Sequence, residues 1–117
     1  MEAGMLSPLA LAFVGDGVYS LLVREHLVGL ANRPVGELHR LSVEMVRAEA
    51  QSAAIIQLMP LITEEELAVF KRGRNAHTAR AGAEYHRSTG LEALFGWLYL
   101  SGREARAREL FGMIIHP

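Results

Sequence analysis

The sequence predicts an all-α fold, a helical bundle of five or six helices in one domain. Three observations carry that expectation. Apolar residues recur at helical spacing through most of the chain. Proline, glycine and asparagine break the pattern only at short intervals, as at Asn32-Arg33-Pro34 and Ser101-Gly102. Helix-start signals stand where helices should begin, Ser7-Pro8 and Thr63 to Glu66 among them. The length, 117 residues, suits a single domain over 1–117. A chain of this size buries roughly two-thirds of the surface it exposes when unfolded. No repeat, low-complexity tract or linker interrupts it.

The first helix starts at Ser7-Pro8, with serine as cap and proline in the first turn, and runs to about Leu30. A rival reading makes Leu9–Val14 and Val18–Val23 two strands around an Asp-Gly turn. The apolar run does not alternate, and Ala10 and Ala12 are poor strand residues, so helix is preferred. Pro34 can open the next segment. Glu37 to Met59 is rich in good helix formers and reads as one bent helix or two, ended by Pro60. Thr63 and Glu66 have capping-box spacing, and the helix they start carries Leu67, Phe70 and Lys71 to an end near Gly73-Arg74-Asn75. A loop follows from about Ala76 to Gly82. Two more helices cover about Glu84 to Leu100 and Glu104 to Ile115.

Composition excludes several function classes. There is no cysteine, which rules out thiolate metal sites and thiol catalysis and fits a reducing compartment. The apolar run Leu9–Val23 is interrupted by Asp16 and lacks the basic start and cleavage site of a signal peptide. A cytoplasmic protein without a membrane span is expected. The net charge of −1 is not that of a strongly basic nucleic-acid binder. Its distribution says more. Lys71, Arg72, Arg74, Arg80 and Arg87 cluster with His77 and His86, opposed only by Glu84. Such a strip suits a polyanion met at one surface, although a solvated helix end and loop would read the same way.

Two acids stand out. Asp16 is the only aspartate, set between two glycines in the most apolar stretch. Its helical neighbours are Leu9, Ala12, Phe13, Tyr19, Ser20 and Val23, and no base lies one turn away. A carboxylate there is costly unless it is paired, hydrogen-bonded or bound to a cation. The alternative is a capping aspartate at a turn or helix end. The flanking glycines cost a helix about 1 kcal/mol each against alanine, which marks a place where something comes close. Glu92 repeats the pattern in Gly90-Leu91-Glu92-Ala93-Leu94-Phe95-Gly96-Trp97-Leu98. Its alternative is a capping box with Thr89. Two acids that meet in an apolar setting either share a proton or share a cation. Mg²⁺ suits such a site and can promote phosphodiester hydrolysis.

Other constellations are weaker. His26, His39, His77, His86 and His116 show no zinc spacing, there is no phosphate-binding glycine loop, and Ser42 and Ser52 have no nucleophile elbow. Phe13, Tyr19, Phe95, Trp97 and Tyr99 read as core or interface residues.

Leu11 to Tyr19 resembles the signature helix of the ribonuclease III catalytic domain, and Leu91 to Leu100 resembles its second acidic motif. Within that group the chain is most similar to the bacterial Mini-ribonuclease III family. The early Ala-Phe-Val-Gly-Asp-Gly-Val-Tyr, the central Leu38-His39-Arg40 and the stretch Phe70-Lys71-Arg72-Gly73-Arg74-Asn75-Ala76 carry the likeness, from about Ser7 to Ile115. The resemblance implies an all-α homodimeric endonuclease that cuts double-stranded RNA with Mg²⁺ and matures large-subunit ribosomal RNA precursors. It places the catalytic, metal-holding acids at Asp16 and Glu92. It places RNA contacts at Lys71, Arg72, Arg74 and Asn75, with His77 beside them. No double-stranded-RNA-binding domain is expected, so the catalytic domain would make every RNA contact, reading A-form shape and phosphates.

The chain departs from the full ribonuclease III pattern. The extra acids of that pattern fall here at Leu9, Ala12 and Thr89, a thinner set that implies one Mg²⁺ per site. Ser20 stands where Mini-family members often carry glutamate, and the loop after Asn75 is short. These departures leave a rival, a non-catalytic RNA-binding or ribosome-assembly module on the same fold. A plain helical dimerisation domain is a third reading, which leaves Lys71 to Arg74 unexplained. Dimerisation is expected on composition too, because the signature helix and the Phe95–Leu100 face look too apolar for one small domain to bury.

Overall fold

A computed structural model describes residues 2–77 and 80–117 of the chain. Among the described residues six α-helices make the fold, and no strand occurs. Helix α1 spans Pro8–Leu30. The Ser7 hydroxyl accepts the Ala10 N–H at 3.1 Å and Pro8 occupies the first turn, as the Ser-Pro start requires. The helix runs unbroken through Gly15-Asp16-Gly17, so the hairpin alternative falls, and so does the reading of Asp16 as a cap at a turn or helix end. Extended backbone at Ala31 and the proline at 34 end it.

The segment after Pro34 is two helices, α2 (Val35–Val46) and α3 (Ala48–Leu58). The joint is Arg47, whose ψ of 158° is extended. A short 3₁₀ turn over Met59–Leu61 takes up Pro60, and another covers Ala3–Met5. Helix α4 is Glu64–Arg74. Its capping box closes both ways: the Glu66 N–H donates to the Thr63 hydroxyl at 3.1 Å, and the Thr63 N–H to the Glu66 carboxylate at 2.9 Å. Arg106 donates twice more to Glu66, at 2.8 and 2.9 Å, tying α4 to the last helix and holding the Glu66 carboxyl below the usual range. Helices α5 (Ala83–Leu100) and α6 (Glu104–Ile115) follow Gly82 and Gly102, whose φ of 87° and 77° only glycine adopts freely. Of the expected loop from Ala76 to Gly82, residues 78 and 79 lie outside the described residues.

Helix α5 is the axis of the bundle. From Ser88 to Leu98 every residue but Glu92 is buried. Helices α1, α3 and α4 pack around it. Two contacts depend on glycine. A Cβ on Gly15 would lie 1.6 Å from the Glu92 carbonyl oxygen, and one on Gly96 would lie 2.0 Å from the Leu11 carbonyl oxygen. The backbones of α1 and α5 therefore touch there. Gly73 and Gly90 do the same for α4 and α5, with Phe70 against Gly90. Farther along, Tyr19 stands edge-on to Phe95 and Phe111, at 5.2 and 5.6 Å between ring centres. Among the described residues no helix is long and apolar enough to cross a membrane.

Candidate active site

The contact of Gly15 with α5 sets the site. It brings Asp16, one residue on, beside Glu92, whose own carbonyl Gly15 touches. The two carboxyl groups come within hydrogen-bonding reach of each other. Burial, then the charge of Asp16, push the Glu92 carboxyl up to about 7, and the hydrogen bond with Asp16 adds to the rise. One interaction opposes it: the Gln51 side-chain amide, brought from α3, donates to Glu92 Oε2 at 3.5 Å. Gln51 is only 1% exposed. Sequence reading passed over it, because glutamine in Ala50-Gln51-Ser52-Ala53 is an ordinary helix former and its partner lies 41 positions away.

The two acids were the pair singled out from their apolar surroundings, and the structure brings them together. Glu92 does not close a helix start. It lies in the interior of α5, and the Thr89 hydroxyl donates to the Tyr85 carbonyl at 3.1 Å instead. Leu9 is exposed, Ala12 is buried and Thr89 is spent on its own helix, so the thin acidic set holds in space as in sequence. Of the flanking glycines, Gly15 makes the close approach, whereas nothing lies within 4 Å of a Cβ on Gly17.

Divalent-cation chemistry fits these residues. Among the described residues no three His, Cys, Asp or Glu side chains gather. The groups that would hold a cation are two carboxyls, one of them bonded to a buried amide. Mg²⁺ is commonly held by one or two carboxylates, with waters and phosphate completing its shell. Glu92, whose carboxyl is raised by burial and then by the charge of Asp16, is a group that a nearby cation would relieve.

The basic strip begins on α4, whose end packs on the helix that carries Glu92. Gly73 packs against Thr89, Gly90 and Ala93, the turn of α5 around Glu92, and so fixes the end of α4 there. Lys71, Arg72 and Asn75 are exposed. Arg72 donates to the Leu6 carbonyl at 3.2 Å. Arg74 lies over the Phe70 ring at 5.5 Å and donates to Asn75 Oδ1 at 3.2 Å. His77 stacks at a tilt against Tyr85, 5.2 Å between ring centres. Three bases in the last turn of α4 and three acids in its first also complement the helix dipole, a structural use of the same charges. Arg87 turns from the strip and donates to the buried Ser52 hydroxyl at 2.7 Å.

The aromatic residues divide between core and surface. Tyr19, Phe95 and Trp97 are buried, while Phe13 is 83% exposed and Tyr99 about half. The apolar surplus expected on the Phe95–Leu100 face is narrower than the sequence suggests: Phe95 to Leu98 are buried within the chain, and only Tyr99 is exposed, with Leu100 half-buried. The largest share of the exposed large apolar side chains lies on α1, among them Leu9, Phe13 and Leu21.

Fold and site define a ribonuclease III domain, and the model of that family matches residues 9–103. Mini-ribonuclease 3 of Thermoanaerobacter sp. (strain X514) is 42% identical over 115 residues, 94% of this chain and 81% of the relative. Mini-ribonuclease 3 of Symbiobacterium thermophilum is 46% identical over 110 residues, 90% of this chain and 85% of the relative. An X-ray structure of a Fusobacterium nucleatum protein superposes with a TM-score of 0.84 at 28% identity, covering 96% of this chain and 93% of that one. The chain belongs to the Mini-ribonuclease 3 family. It is an endoribonuclease of a divalent-metal-dependent class that acts on double-stranded RNA, which takes the enzyme reading over the non-catalytic module.

Proposed function

We propose that Asp16 and Glu92 are the catalytic acids of this enzyme and that they hold Mg²⁺, directly or through water, to cleave duplex RNA. The convergence of these two acids from α1 and α5 is the observation that carries the reading. Bound Mg²⁺ supplies Lewis acidity toward an attacking water and the departing 3′ oxygen. The protein's share is positioning and charge. Glu92 gives up its proton so that the pair presents two negative charges on a rigid α1–α5 contact. Lys71, Arg72, Arg74, Asn75 and His77 hold phosphates or ribose hydroxyls beside it, and recognition rests on A-form shape.

The same reading assigns large-subunit ribosomal RNA precursors as substrate, the cytoplasm as location, and residues 1–117 as one catalytic domain. It makes the enzyme a homodimer in which each subunit cuts one strand. Leu9, Phe13 and Leu21 repeat at intervals that keep them on one side of α1, and all are exposed. Beside them an open, mostly apolar groove of about 250 Å³ runs between Val14, Gly17 and Val18 of α1 and Tyr99 and Ala107, with Glu104 and Arg108 at its polar side. An apolar ridge next to an apolar groove suits a second copy, and leaves Gly17 space that a partner would use.

Incubation of the purified protein with duplex RNA and Mg²⁺ tests the assignment. Asp16→Asn and Glu92→Gln should abolish cleavage and keep the fold. Cleavage at the wild-type rate by either would sink it.

A further inference from the structure

Among the described residues one polar side chain from outside α1 and α5 is bonded to the acidic pair, that of Gln51. Gln51 projects from α3 beside residues that pack the core, Ala54, Ile55 and Leu58, and it is buried as deeply as they are. A buried amide costs free energy unless it is hydrogen-bonded. The next residue, Ser52, is also buried and accepts from Arg87. Helix α3 thus turns two adjacent polar residues inward at the stretch of α5 that runs from Arg87 to Glu92.

We propose that Gln51 is a positioning residue for the acidic site: its amide N–H fixes the Glu92 carboxylate in one rotamer and leaves the other carboxylate oxygen free for the cation. This rests on the assignment of Asp16 and Glu92 above. The chemistry favours an amide at this place. The Nε2 group only donates, so a contact with a carboxylate favours the ionised form that a cation needs. A glutamate side chain is rotamer-rich, and ordering it in advance removes a cost that metal binding would otherwise meet. The amide orients Glu92 without adding a third like charge to a pair that one Mg²⁺ already neutralises. The 3.5 Å separation is at the long end of hydrogen bonding, as is common for catalytic contacts before substrate and cofactor draw them in. Partners that orient a metal ligand typically change affinity or rate by about 10- to 100-fold when removed.

Gln51→Met keeps the length of the side chain and removes the donor. It should stay folded and bind duplex RNA in EDTA as wild type does. Its affinity for Mg²⁺ alone, measured by calorimetry without RNA, should fall about 10- to 100-fold, and kcat should fall by a similar factor with little change in KM. Raised Mg²⁺ should restore part of the rate. Ser52→Ala, which removes the neighbouring α3–α5 bond, should lower the melting temperature and leave both kcat and Mg²⁺ affinity unchanged. Should Gln51→Met fail to fold, Gln51→Asn keeps the amide, withdraws it by one methylene and carries the same expectation. Wild-type Mg²⁺ affinity and kcat in the folded Gln51 variant would overturn the proposal. So would equal losses in Ser52→Ala, which would make the effect one of α3 packing. If Asp16→Asn and Glu92→Gln are inactive while the Gln51 variant is normal, only the role of Gln51 fails. If those two variants cleave normally, the site assignment fails first.

Discussion

Glu92 is a titratable group in an apolar helix, and its proton affinity is the sharpest handle on the site. Its carboxyl is pushed from 4.5 to about 7 by burial and by Asp16. A raised carboxyl means that the folded, metal-free protein binds this proton more tightly than the unfolded chain does. The stability it contributes is full below about 4.5 and is lost as pH rises through about 7. Metal-free protein should therefore lose melting temperature between pH 5 and pH 8. Glu66, whose carboxyl is lowered, acts only at the acid end and does not blur that window. The decisive comparison is with Glu92→Gln, whose melting profile in EDTA should be flatter. Mg²⁺ should restore wild-type stability at pH 8. Equal slopes for the two proteins would show that Glu92 is not strained by its surroundings. Both acids were legible in the sequence, because a lone carboxylate in an apolar helix asks for a partner. Gln51 was not legible: glutamine suits a helix wherever it stands, and only the packing of α3 on α5 gives it a partner.

At the scale of elements, the site exists because α1 and α5 touch through glycine. Gly15→Ala would drive a methyl group into the Glu92 carbonyl, and Gly96→Ala into that of Leu11. Neither obstacle is a flexible side chain, so the helices must part. Overpacking of this kind costs typically about 1–3 kcal/mol. Gly29 is also in α1 but faces open space, and alanine there should stabilise by up to about 1 kcal/mol through helix propensity. Urea unfolding of Gly15→Ala and Gly29→Ala should give shifts of opposite sign. Gly15→Ala should also lose activity in the fraction still folded, because the carboxyl pair separates. The helix starts were legible for local reasons: the Ser7-Pro8 cap and the Thr63–Glu66 box form as the spacing requires. The break at Arg47 was not. Ala, Glu and Gln follow it and no glycine or proline marks it, so tertiary packing of α2 and α3 decides the joint.

At the scale of the whole molecule, one subunit has a thin acidic set and a short basic strip, and a duplex has two strands to cut. The exposed ridge of α1 answers both limits if a second copy covers it. Phe13 is the test residue, since a phenylalanine 83% exposed contributes little to the folding of its own chain. Phe13→Asp should leave the melting temperature of the isolated subunit nearly unchanged and shift sedimentation at micromolar concentration from dimer to monomer. Double-strand cutting should fall with it, even though Asp16 and Glu92 remain in place. A wild-type protein that sediments as a monomer would remove the second copy from this reading. Duplex binding offers an independent check on the same geometry. Each phosphate contact that is lost should flatten the dependence of log affinity on log salt by about one unit. A homodimer carries every such residue twice, so Lys71→Ala should flatten the slope by about two if both copies touch one duplex. It should weaken all duplex sequences alike, because phosphates carry no base information. A slope change near one would mean that a single subunit engages the RNA, and no change would mean that Lys71 serves only the end of α4.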